Sequence, residues 1–331
     1  MFNTLCWTAY ALLAAFATAE RPRGLPYALC WGTSSVTASR FTSASAFQAV
    51  TFLTSGEYGN LFNDALVHYD SLEAKDKIDV VHTTAIFREA VQVATKGLTE
   101  IDGESPTFSM LVLPSVFERY FTVIAHSTVL PVPEGPDKQD GALTSHPAST
   151  AGYAYNLNRC EKAGRTPQEC QNLDVLNDKA LVIDFEQEYL GLHIIDLAYE
   201  LGTLPREDTS ISSRFGEENA NVFRMDQNYD THAQGLREFV TGFLESGQNS
   251  VLVSRSFYMD EIKAIVVAGS ASTASFAELV DMAQETIGHQ GVQIFDSIDP
   301  STVVAQGAAA WAGWILPELM RGYRKPSHDE L

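Results

Sequence analysis

Basic residues are scarce in this sequence: 22 Lys+Arg face 42 Asp+Glu, for a formal net charge of -20. A surface of that sign repels a phosphate backbone and anionic lipid headgroups, so nucleic acid is not expected as a partner. The usual zinc spacings are missing, with neither C-x-x-C nor H-E-x-x-H, and the 8 His are scattered. There is no P-loop, no G-x-G-x-x-G fingerprint and no G-x-S-x-G elbow, which removes common patterns for phosphate, dinucleotide and serine-hydrolase sites. Gly-Gly never occurs among the 22 Gly, and no N-x-S/T sequon is present. Long hydrophobic runs are lacking too. None approaches the roughly 20 residues that cross a bilayer, so no membrane span is expected.

What is present begins with size: 331 residues, 45% of them hydrophobic, are enough for a sizeable core and two lobes. The first residues, MFNTLCWTAYALLAAFATAE, have an apolar centre and offer Ala17-Thr18-Ala19 as a small-x-small cleavage site. This predicts a secretory signal peptide over residues 1–19, although the Lys or Arg usual near its start is missing. The last four residues, His328, Asp329, Glu330 and Leu331, spell HDEL, an address read by the retrieval receptor of the endoplasmic reticulum. A soluble protein of that lumen is the expectation from the two ends together. Loss of Cys6 with the leader would leave Cys30, Cys160 and Cys170, and the pair in CEKAGRTPQEC closes a short polar loop as either a disulfide or two free thiols.

Along the chain, the Pro/Gly/Ser-rich stretch Pro131 to Thr150 and the polar stretch Thr203 to Asn228 read as surface loops. LPYALCWGTSSV and FSMLVLP have the pattern of strands, and IDVVHTTAIFREAVQVATKGL places Ile78, Val81, Ala85, Val91 and Leu98 near helical spacing. KALVIDF and YLGLHIIDLAYE are apolar runs flanking a tight polar segment, which predicts a largely buried β-hairpin. EIKAIVVAG reads as a strand ending at Gly269. A helix then carries Phe276, Leu279, Val280, Ala283 and Ile287 on one face, with Ser275 and Glu278 as a capping box and Gly288 as its end. In IDPSTVVAQGAAAWAGWILP, Asp299 is the expected N-cap, Pro300 the first helical residue, and the small residues from Gly307 to Ala310 allow another backbone close approach.

IKAIVVAGSASTASFAELV followed by SIDPSTVVAQGAAAWA resembles the adenosine-side segment and last helix of the seventy-kilodalton heat-shock chaperones, members of the actin-like ATPase superfamily. YALCWGTSSV is similar to their first phosphate hairpin, HPASTAGYAYNLN to the helix linking the lobes, and DFEQEYLG takes the place of the second phosphate hairpin. The resemblance implies an α/β, actin-like ATPase (ribonuclease H-like) fold of two lobes. It divides the chain into a first lobe with connecting helix over 25–158, a second lobe over 173–316 and a tail over 317–331. Only about 60 residues separate Leu197 from Met259, so the upper part of the second lobe is expected to be reduced, and no length remains for a peptide-binding domain.

Carried over residue by residue, the resemblance assigns a nucleotide site to Gly32, Thr33, Asp184, Gly269 and Ser270, with ATP or ADP and magnesium as the implied cofactors. The departures are chemical. Cys30 stands where the family has a metal-orienting Asp, and a thiol is a poor ligand for magnesium, which prefers oxygen. Glu186, Gln187 and Glu188 replace the glycines whose N–H groups approach phosphate. A carboxylate about 4 Å from a phosphate charge is opposed by roughly 4 kcal/mol at an effective dielectric near 20, enough to cost powers of ten in affinity. Ala268 precedes Gly269 where the family has paired glycines, which leaves weak adenosine or ADP binding less excluded than ATP hydrolysis. For Gly307 and its neighbours, helix packing is favoured over ligand contact.

The expected protein is therefore a degenerate, chaperone-like regulator or scaffold whose partner is a luminal chaperone, co-chaperone or client protein. An active ATP-binding ATPase is the alternative. A second alternative takes Asp184, Glu186 and Glu188 as one face of a continued strand, similar to the D-x-D-x-E-Y strand of family-18 chitinases.

Overall fold

Two sheets of five strands, each in the same order, organise the chain. The computed structural model describes residues 26–43, 46–67, 79–117, 119–129, 143–157, 166, 168, 178–197, 219–225, 232–249 and 257–315. The leader expected over 1–19, Cys160, Cys170, and the tail over 317–331 with its HDEL residues lie outside the described residues. The first sheet contains β1 (Tyr27–Trp31), β2 (Ser35–Phe41), β3 (Phe47–Leu53), β4 (Phe108–Val112) and β5 (Leu143–Ser145), in the order β3-β2-β1-β4-β5. β1 to β3 form an antiparallel meander, while β4 and β5 run parallel to β1. Helices α1 (Gly56–Val67) and α2 (Val80–Asp102) join β3 to β4, α3 (Arg119–Val129) joins β4 to β5, and α4 (Pro147–Ala154) closes the unit.

The second sheet repeats this plan. β6 (Lys179–Phe185), β7 (Tyr189–Asp196) and β8 (Asn219–Arg224) form the meander, α5 (His232–Asn249) leads to β9 (Ile262–Ala268), α6 (Thr273–Ile287) to β10 (Gln293–Phe295), and α7 (Pro300–Ala310) closes it. The order is β10-β9-β6-β7-β8, which from the β8 end is again third, second, first, fourth, fifth. This duplication is the two-lobed actin-like ATPase (ribonuclease H-like) architecture. Between β8 and β9 the described residues hold α5 and a short 3-10 turn, Met259–Glu261.

β6 is buried at every residue because both faces of its sheet are covered. Leu181 and Ile183 join α5 and α6 in one core, whereas Ala180 and Val182 meet α4 and α7 in another. Two-sided burial accounts for the unbroken apolar run in the sequence. The inner face of the first sheet, with Ala28, Cys30, Met110 and Val112, packs on Tyr153, Ala305, Ala308 and Trp311. Helices α4 and α7 are thus the layer between the lobes. Gly307 explains how closely they cross: a Cβ there would lie 1.7 Å from the carbonyl oxygen of Thr150. The small-residue run serves helix packing.

Several sequence expectations need correction. The capping box at Ser275 and Glu278 is absent as such, because the helix starts a turn earlier: Ser272 is the N-cap and accepts from the Ser275 N–H. Gly288 does end that helix in a left-handed conformation. In α2 the buried stripe is Thr83, Ile86, Phe87, Ala90, Ala94 and Leu98, while Val81 and Ala85 face outward. The rotation follows from the aromatic core, where Phe87 meets Trp31, Tyr58 and Phe117. Ile78 lies outside the described residues. The two stretches expected to be loops contain β5, the start of α4 and β8. Pairing with β4 and β7 supplies the hydrogen bonds that composition gave no sign of.

Candidate functional site

The candidate site lies around two corresponding hairpin turns. In the first lobe, Gly32 N–H donates to Ser35 O at 2.7 Å and closes the turn holding Thr33 and Ser34. The Tyr58 hydroxyl donates to the Gly32 carbonyl at 2.8 Å and so fastens this turn to α1. Cys30, one residue before the end of β1, is buried, and that burial pushes its thiol up to about 12, against a small lowering by a hydrogen bond with Ser39. At neutral pH it is a thiol and not a thiolate. A metal-orienting oxygen is missing from that position.

The second hairpin turns at residues 186–188, so Asp184, Glu186 and Glu188 do not share the face of a continued strand. β6 ends at Phe185, and Glu186 N–H donates back to Tyr189 O at 2.9 Å. This overturns the glycosidase reading, which needs the strand to run on through Glu188. Among the described residues only Asn156 is a non-glycine with positive φ, so the turn has taken a shape that Glu186, Gln187 and Glu188 adopt without left-handed strain. The Glu188 carbonyl accepts from Met225 N–H at 3.0 Å, which ties the turn to the end of β8.

Asp184 is buried at the end of β6 and accepts a 2.7 Å hydrogen bond from the Tyr189 hydroxyl. Tyr189 reaches across to the first lobe: its ring lies 6.0 Å from that of Phe62, and it belongs to the core formed by Trp31, Tyr58, Phe62, Phe87 and Phe117. Its hydroxyl is held well above the ordinary tyrosine range, first by burial and then by the charges of Asp184 and Glu186. Two residues along the same face of β7, His193 is fully buried and its Nε2 lies 3.2 Å from the Ser115 hydroxyl of the first lobe. Gly191, between them, leaves room for that imidazole, since a Cβ there would sit 2.7 Å from His193 Nε2. The face of β7 formed by Tyr189, Gly191 and His193 is therefore a seam between the lobes.

Gly269 and Ser270 complete the second side. Gly269 has φ 110, and a Cβ there would fall 2.3 Å from the carbonyl oxygen of Phe185. Only glycine accepts both the conformation and the contact. Its N–H donates to Pro300 O at 3.0 Å, placing it at the start of α7. The Ser270 hydroxyl donates to the Glu186 carboxylate. Glu186 is raised from 4.5 to about 7, mainly by burial and then by the charge of Asp184, with Ser270 opposing and Glu188 adding a smaller push.

Of the five residues assigned to a nucleotide site, Asp184, Gly269 and Ser270 therefore gather with Glu186 at one turn. Gly32 belongs to the facing hairpin and is linked to this region through Tyr58, whose electrostatic effect reaches Tyr189. Thr33 forms the first turn and is half-exposed. Sequence reasoning missed Tyr58, Ser115, Tyr189 and His193. The available signal was the period-two set Tyr189, Gly191 and His193 within an otherwise apolar strand. Among the described residues, no group of three or more His, Cys, Asp and Glu is arranged to hold a metal ion, and no helix is long and apolar enough to cross a membrane.

Comparisons with known proteins give no matching family model. No curated protein is similar. Among solved structures, the chain is similar to the ethanolamine utilization protein EutJ from Carboxydothermus hydrogenoformans, with a TM-score of 0.42, 11% sequence identity, and coverage of 88% of this chain and 91% of that one.

Proposed function

We propose that this protein is a degenerate actin-like ATPase that acts as a chaperone-like scaffold or regulator, without ATP hydrolysis. The observation that carries the reading is Tyr189. At the second phosphate hairpin, its ring is packed into the core of the opposite lobe and its hydroxyl is bound to Asp184. A triphosphate entering there meets a buried aromatic side chain and the carboxylates of Glu186 and Glu188. Each carboxylate in its ionised form at about 4 Å opposes each phosphate charge by roughly 4 kcal/mol, and burial holds Glu186 only partly ionised near neutrality. On the other hairpin, the neutral Cys30 thiol offers magnesium no oxygen.

The address HDEL and the apolar leader sequence support an endoplasmic reticulum luminal protein, read by the retrieval receptor and partnered by a luminal chaperone, co-chaperone or client. A second reading, nucleoside or ADP binding without hydrolysis, is favoured by Gly269, whose conformation and close approach to Phe185 keep a glycine turn on the adenosine side.

Thermal unfolding with and without Mg-ATP, Mg-ADP and adenosine separates these readings. A ligand at 100 times its Kd raises stability by about 2.7 kcal/mol, a plain shift in Tm. No shift with any of them is the expected result, a shift with ADP or adenosine alone supports the second reading, and a shift with Mg-ATP overturns both. For the scaffold role, a pull-down from luminal extract that returns no reproducible partner counts against it.

A further inference from the structure

β3 forms one end of the first sheet, and its outer edge is unpaired among the described residues. Residues 46–55, AFQAVTFLTS, contain no Asp, Glu, Lys, Arg, Pro or Gly, in a chain that is 19% charged. The side chains that normally guard an edge strand against pairing are therefore missing. The register says which groups are open. Thr54 N–H donates to Ser34 O and Thr42 N–H to Ala46 O, so the even-numbered residues of β3 bond to β2. Phe47, Ala49, Thr51 and Leu53 consequently point their N–H and C=O groups away from the sheet.

One face of this strand is packed and the other is covered only at Phe47. Phe52 packs over Gly97 of α2, and Phe47 packs beside Phe41, Ala309 and Ala310. The edge is left open, and so are Ala49, Thr51 and Leu53 on the face that Phe47 starts, Leu53 being 79% exposed.

We propose that β3 pairs antiparallel with β3 of a second copy of this chain, joining the two first-lobe sheets across a two-fold axis at Val50. In that register Phe47 faces the second copy's Leu53, Ala49 faces its Thr51, and Val50 faces its Val50. Every outward N–H and C=O of the four residues finds a partner, and the most exposed leucine gains an aromatic neighbour. A strand without charges places no like charges opposite one another. The net charge of -20 opposes the approach of two copies, so the edge pairing has to outweigh that repulsion. The inference is independent of the nucleotide site.

Analytical ultracentrifugation of the purified chain tests it. A dimer with Kd of about 1 μM or tighter is expected at about 0.15 M salt, strengthening as added salt screens the net charge. Thr51→Pro removes an outward donor and Leu53→Lys guards the edge, and each should raise Kd about tenfold or more while unfolding stays cooperative. Val50→Cys adds a register-specific readout. Residues opposite each other in a non-hydrogen-bonded pair have Cα atoms about 4.5 Å apart, within disulfide range, so oxidation should give a covalent dimer that neither the parent chain nor Ala49→Cys gives. A monomer up to about 100 μM overturns the proposal, even if an added extended peptide binds the edge. A dimer that survives both edge variants also overturns it.

Discussion

The two hairpins share a backbone and differ in chemistry. Aligned by their closing hydrogen bonds, Gly32 to Ser35 and Glu186 to Tyr189, Cys30 corresponds to Asp184, Trp31 to Phe185, Thr37 to Gly191 and Ser39 to His193. Each first member also pairs in parallel with its fourth strand, Cys30 with Val112 and Asp184 with Ala268. The first hairpin has a small turn, Gly32-Thr33-Ser34, and no acid at its head; the second has the acid and no small turn. A phosphate and metal site built from facing hairpins needs small turns on both sides and oxygen ligands at their heads. Neither hairpin combines the two features. The space between them is used instead for packing, through Tyr189 against Phe62 and His193 against Ser115.

The most damaging way to break this arrangement is to separate the lobes at their shared layer. Gly307→Ala would place a methyl 1.7 Å from the Thr150 carbonyl oxygen and within 2.9 Å of Ala154 N, all backbone atoms that cannot rotate away. The expected loss is about 4 kcal/mol or more, seen as a large fall in Tm. A variant within about 0.5 kcal/mol of the parent would mean that α4 and α7 do not cross at Gly307.

Giving the first hairpin the acid of the second should cost somewhat less. Cys30 is buried among Ala28, Met110, Val112 and Trp311, with the Ser39 hydroxyl as its polar neighbour, and lacks the tyrosine hydroxyl that Asp184 receives. In Cys30→Asp the carboxyl is driven toward its neutral form, with an expected loss of about 3 kcal/mol that grows as pH rises from acid toward neutrality. Chemical denaturation at pH 5 and pH 7.5 reads both the size and the slope. Equal stability to the parent would show that the position still accommodates a charged oxygen, and the comparison of the hairpins would fail.

How much of this was legible depends on whether local pattern or tertiary contact decided the outcome. The β6–β7 hairpin, the end of α6 at Gly288 and the start of α7 at Asp299 and Pro300 follow from signals within a few residues. The closeness of α4 and α7 was legible as well, because Gly307 and three alanines leave little else for that helix face to do. The tilt of α2 was not: Val81 and Ala85 fit the helical period, but Phe87 and Ile86 have more surface to bury and turned the helix toward the aromatic core. Nor was β8 legible, since an edge strand held by backbone bonds to β7 can be polar in sequence. In the site, Asp184, Gly269 and Ser270 are singled out through the resemblance their flanks carry, and the fold brings them to one turn. For Tyr189 and His193 the period-two pattern marks the strand face but not the roles, which come from residues 127 and 78 positions earlier, Phe62 and Ser115, brought across the lobe boundary only by the fold.

The smallest effect sharpens the comparison most, because it isolates the charge at the second turn. The folded-state value of Glu186 is about 7 against 4.5 for the free side chain, raised by burial first and by Asp184 next. Between those values the folded protein binds more protons than the unfolded chain, so stability falls as pH rises. The contribution is fully present below about pH 4.5 and is lost as pH climbs through about 7. The shift sets a ceiling of about 3 kcal/mol, and because the side chain retains some solvent contact the expected change is about 1–2 kcal/mol. Glu186→Gln keeps the shape and an acceptor for Ser270 but cannot ionise. The difference in Tm between Glu186→Gln and the parent should therefore be near zero or slightly negative at pH 4.5 and positive at pH 7.5. Gly32, at the corresponding position of the first hairpin, has no charge to remove, so the pH-dependent gain belongs to the second turn alone. A difference in Tm that stays constant across this range would mean that Glu186 is not buried beside Asp184 in the folded protein.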